Sequence, residues 1–180
     1  MVMQKRRELK GSAARLVYSA VCLALCLVLP FLTGQIPQLG SALCPMHFPV
    51  LIAGFVCGPW WALAVGLIAP LLRHVIFGMP PLLTAIAMAA ELAAYGLISG
   101  LMDRILPKKT VSIYAALVTA MVVGRLVWGS VYVLFAGLGV KPFGWTLFLS
   151  GAVLEAVPGI ILQLILIPVI VLALKRTKLV

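Results

Sequence analysis

Arg73, Glu91, Arg125 and Glu155 each lie in a separate stretch of chain that is otherwise apolar enough to span a bilayer. A charge at membrane depth costs about 3 kcal/mol or more unless it is paired or hydrated, so such residues face a bundle interior or a polar cavity. Two guanidinium groups can grip a carboxylate or phosphate through paired hydrogen bonds. Two carboxylates can accept from amide, hydroxyl or base N–H groups. The chemistry on offer is recognition of a small polar molecule. The competing reading is two interhelical salt bridges, for instance Arg73 with Glu91 and Arg125 with Glu155, that fix helix register and do nothing else.

Neighbouring side chains enlarge the candidate pocket. Trp128 and Tyr132 follow Arg125 by three and seven residues, which puts all three on one helical face. An aromatic wall beside a charge suits a ligand with a flat or apolar part and a polar head, although an interfacial aromatic belt explains Tyr132 equally well. His47, between Pro45 and Pro49, and His74, next to Arg73, can reach the mouth of such a cavity, His47 the better placed. Neither has acidic partners at metal-ligand spacing, and no metal or cofactor is expected. No Walker A sequence and no nucleophile elbow occurs, so the chain does not read as an enzyme. Glu91 and Glu155 could do acid–base work in a cavity, but binding is the simpler account. Cys22, Cys26, Cys44 and Cys57 read as small packing residues.

The elements that must hold these residues follow from composition. Of 180 residues, 64% are hydrophobic and only 10% charged, and the mean hydropathy is +1.21. That predicts an all-α integral membrane protein, residues 1–180 forming one membrane domain. Six spans are expected at about 12–33, 48–57, 59–77, 83–106, 111–136 and 146–174, with a first external loop at 34–47. The second is short for a crossing of roughly 20 residues, so it is tilted or shared with a loop that dips into the membrane. The loop before it is longer than bundle connections usually are, as lids and binding segments tend to be. The opening Lys5, Arg6, Arg7, Lys10 and Arg15 reads as a cytoplasmic anchor rather than a cleaved signal. Placing both termini inside puts eleven of the fourteen basic residues on the cytoplasmic side, leaving Arg73, Arg125 and Lys141. The net charge of +10 is then attraction to anionic headgroups of the bilayer, not nucleic-acid binding. Counted along the spans at about 1.5 Å per residue, all four buried charges fall between the midplane and the outer third.

The chain resembles the substrate-binding S components of energy-coupling factor (ECF) vitamin transporters. The resemblance rests on size, topology, the long first loop and the small-residue motif Ala20-Val-Cys-Leu-Ala24. More distinctive are Cys44-Pro-Met-His-Phe-Pro-Val50, Gly58-Pro-Trp-Trp61, Pro70-Leu-Leu-Arg73, Phe77-Gly-Met-Pro-Pro81 and Glu91-Leu-Ala-Ala-Tyr-Gly96. The resemblance implies a binding subunit in the bacterial cytoplasmic membrane, docking through Ala20 and Ala24 on a transmembrane T subunit and powered by two ATPase subunits. Alanines at i and i+4 also make a flat stripe for close helix approach in any membrane protein, internal packing included. The implied substrate is a vitamin or cofactor precursor: pantothenate suits two arginines and two glutamates, and a queuosine precursor or folate fits nearly as well. Outside the family, a structural or regulatory membrane protein with registry salt bridges is the alternative.

Overall fold

The computed structural model describes residues 2–33, 36, 40, 42–107, 109–139, 144 and 156–176. Glu155, Lys141, most of the 34–41 segment and the first part of the expected sixth span lie outside the described residues. Within them every regular element is helical: α1 (Val2–Val28, running into a 3-10 turn over Leu29–Thr33), α2 (His47–Cys57), α3 (Pro59–Phe77), α4 (Leu82–Ile105), α5 (Thr110–Gly137) and α6 (Val157–Arg176). Five of these have segments long and apolar enough to cross a membrane, whereas α2, at 11 residues, does not. The six spans expected from the sequence thus appear as five full-length helices and one half-length helix.

Local sequence sets the ends. Pro59 occupies the first turn of α3, where its missing N–H is not needed, and Gly78 closes that helix in the left-handed region (φ 68°) with its N–H donating to His74 O. His74 Nδ1 lies 2.8 Å from Pro80 O and ties the same corner to the start of α4. His74 therefore serves the α3–α4 turn.

In lipid there is little hydrophobic drive between helices, so close packing of small residues must hold them together. A Cβ at Gly66 would overlap Leu92 O, one at Gly96 would come 2.5 Å from Ala62 O, and one at Gly100 would come 2.6 Å from Pro59 N. These three contacts fix α3 and α4 as antiparallel neighbours with Pro59 beside Gly100 and Gly66 beside Leu92. Continued along the same face, the register brings Arg73 level with Ala85. That is six residues, or about 9 Å, from Glu91 toward the α3–α4 turn. The shared depth expected for the buried charges thus does not extend to Arg73. The reason is that α3 starts level with Gly100 rather than with the last residue of α4.

α2 packs against α1, α3, α4 and α6, while α1–α3, α3–α4, α4–α5 and α5–α6 pack against each other. The half-length helix is therefore the centre of the bundle. It runs parallel to α4, with Gly54 pressed on Ser99 and His47 beside Glu91 and Tyr95. Its first residue thus lies about 15 Å below the first residue of α4. The space above it is entered by residues 42–46: Met46 O accepts from Cys26 Sγ of α1, and a Cβ on Gly159 of α6 would come 2.7 Å from Ala42 O. At the opposite end, Lys175 Nζ and Asp103 Oδ1 pair at 2.9 Å and join the last turns of α6 and α4.

Candidate functional site

The charged cluster gathers at the first turn of α2. Arg125 Nη1 of α5 lies 3.0 Å from Glu91 Oε1 of α4, with the two side chains 17% and 2% exposed. Arg125 Nη2 points at the Cys44 thiol at 3.8 Å. His47 Nε2 is 3.6 Å from the same Glu91 oxygen, too long for a hydrogen bond. Its ring stands edge-on to Tyr95, centroids 5.1 Å apart. Tyr95 is itself wedged in place, since Gly124 of α5 leaves only enough room that a Cβ there would meet the ring at 2.6 Å.

The cluster is close but under-bonded. Among the described residues, both ring nitrogens of His47, Glu91 Oε1 and Arg125 Nε are buried without a hydrogen-bond partner. The Arg125–Glu91 approach is near enough for an ion pair but is not aligned as a hydrogen bond. Buried polar atoms are nearly always satisfied, and each exception costs about 1–3 kcal/mol. Ser19 Oγ shares this condition, but it sits near Cys57 at the far end of α2. Four unsatisfied atoms on three adjacent residues mark a place where a polar molecule would complete the bonding.

Cys44 adds to the same site. Its backbone is in the left-handed region (φ 48°), uncommon for a residue with a Cβ and typical of functional positions. Its thiol offers a soft contact beside Arg125 Nη2. Sequence reading took Cys44 for packing and did not single out Tyr95. The only signal for either was proximity in the chain, Cys44 to His47 and Tyr95 one helical turn after Glu91.

Above Arg125 on α5, Trp128 and Tyr132 stack with centroids 4.4 Å apart, and Tyr132 meets Phe135 at 5.9 Å. All three rings are half-buried. Arg73 does not join Glu91. Its Nη1 donates to Leu27 O near the end of α1, and its guanidinium lies 5.1 Å and 5.2 Å from the rings of Phe31 and Phe77. The pairing Arg73 with Glu91, considered from the sequence as a registry bridge, is replaced by Arg125 with Glu91. Helix register decides this: α5 carries Arg125 to the level of Glu91, while α3 carries Arg73 past it.

Ala20 and Ala24 are both exposed on α1, whose Cys22 and Cys26 turn inward. The motif is therefore on the outside of the bundle and free of internal packing.

The family model for the substrate-specific component of ECF transporters matches residues 14–171. No curated protein and no solved structure matches the chain. A match over nearly the whole length, on a helical bundle with an under-bonded cluster of polar side chains beside its central helix, places this protein among the substrate-specific components of ECF transporters.

Proposed function

We propose that the chain is the high-affinity S component of an ECF importer for a vitamin or cofactor precursor, with pantothenate the leading substrate. In this reading the ligand enters the slot above α2, and its polar end meets His47, Glu91 and Arg125. Trp128 and Tyr132 form the apolar wall, Arg73 stands further out, and Glu155 belongs to the same set. Both termini are cytoplasmic, the slot opens outward, and residues 34–47 cover the ligand. The α1 stripe at Ala20 and Ala24 docks on the T subunit, with two ATPase subunits supplying the energy. The whole S component then tilts in the membrane to release its cargo inside.

The observation that carries this reading is the set of four unsatisfied atoms on His47, Glu91 and Arg125. A bundle stabilised by registry alone would have no reason to leave them so, because a salt bridge serves stability only when its remaining hydrogen-bonding capacity is met. A ligand with its own donors and acceptors meets it.

The test is a thermal-shift and native mass-spectrometry screen of the detergent-purified protein against pantothenate, a queuosine precursor, folate and related micronutrients. One of them is expected to stay bound through washing and to raise the melting temperature. Silence from folded protein across the panel would leave the registry reading standing.

A further inference from the structure

Resting on the substrate-binding reading above, we infer that the ligand is two-ended: an anionic head held by Arg73, and a neutral hydrogen-bonding end at His47, Glu91 and Arg125, about 9 Å further along the bundle axis. The two arginines are not equivalent. Arg125 is already neutralised, with Glu91 Oε1 3.0 Å from Nη1 and the Cys44 thiol 3.8 Å from Nη2. An anion arriving there would face the Glu91 carboxylate, so this end of the slot favours groups without net charge. An amide or hydroxyl fits, since it can donate to Glu91 Oε1 or His47 and accept from Arg125 Nε.

Arg73 is the opposite case. The residue is 3% exposed and has no carboxylate within ion-pair distance among the described residues. Its Nη1 is taken by the Leu27 carbonyl, and Phe31 and Phe77 flank the group. The Nε–Nη2 edge, which matches the two oxygens of a carboxylate, has no hydrogen-bond partner among the described residues. A guanidinium held between two rings with its bidentate edge free offers that edge to an anion. Capping the end of α1 needs only the one donor already used, so it leaves that edge unexplained. The register that brings Arg73 level with Ala85 on α4 also brings it near the level of Tyr132 on α5, so the aromatic wall runs between the two ends.

The experiment compares matched acids and neutral analogues on wild type, Arg73→Gln, Arg73→Lys and Arg125→Gln, using pantothenate with panthenol, biotin with biotinamide, and whichever panel member binds. Wild type is expected to prefer the acid by roughly tenfold or more. Arg73→Gln should bring acid and analogue to about the same affinity, Arg73→Lys should keep part of the preference, and Arg125→Gln should weaken both members alike. A preference that survives Arg73→Gln, one lost in Arg125→Gln instead, or a tight ligand that is neutral or cationic would overturn the inference while leaving the binding-subunit reading intact. Absence of any bound ligand on folded wild type would remove that reading itself, and the two failures are therefore distinct. Arg73→Lys, which keeps the charge, decides the matter if Arg73→Gln does not fold.

Discussion

The Glu91–Arg125 pair is 2% and 17% exposed, so removing one member leaves the other as an uncompensated charge. Such a loss typically costs about 3–5 kcal/mol, whereas replacing both members is far milder. Glu91→Gln and Arg125→Gln should each lower the melting temperature clearly, and the double variant should recover much of the loss. Ligand affinity, by contrast, should be poor in all three. A double variant that regains stability and also binds normally would mean that the pair only sets register. That Glu91 and Arg125 matter was legible from the sequence, because a charge inside an apolar run has few reasons to be there. Their pairing was not, since partner choice depends on helix register to within one turn. Tyr95 was invisible for a different reason: an aromatic residue in an apolar helix is indistinguishable from core until Gly124 is seen packed on its ring.

Helix ends were readable wherever backbone chemistry forces them, at Gly58-Pro59 and at Gly78-Met-Pro-Pro81. Relative heights were not, because they depend on which small residues meet across α3 and α4. Those contacts make a definite prediction. Gly66→Ala puts a methyl into Leu92 O and should destabilise the bundle by about 1–3 kcal/mol, as overpacking usually does. Gly137→Ala, with nothing within 4 Å, should be neutral or slightly stabilising. Equal melting temperatures for the two would show that α3 and α4 are not in close contact there. The shortness of α2 was apparent from its count of apolar residues, but its central position was not. A short apolar run between Pro and Gly gives no sign of whether it lies at the edge or the middle of a bundle.

For the molecule as a whole, Ala20 and Ala24 are exposed on α1 while the charged cluster lies among α2, α4 and α5. The two proposed tasks therefore use separate surfaces. Ala20→Leu with Ala24→Leu should leave ligand affinity within about twofold yet sharply reduce recovery of T and ATPase subunits when the assembled transporter is purified through this chain. Loss of ligand binding with assembly intact would reverse the assignment. The half-length α2 carries one more consequence. Residues 44–46 are non-helical backbone beside Cys26 of α1 and Arg125 near the middle of α5. Hydrocarbon cannot solvate peptide groups, so irregular backbone at that depth must stay enclosed by protein or water. This segment cannot swing sideways between helices into lipid. On the reading proposed above, any opening carries it along the bundle axis, like a piston in a sleeve, and cargo leaves by the same mouth through which it came.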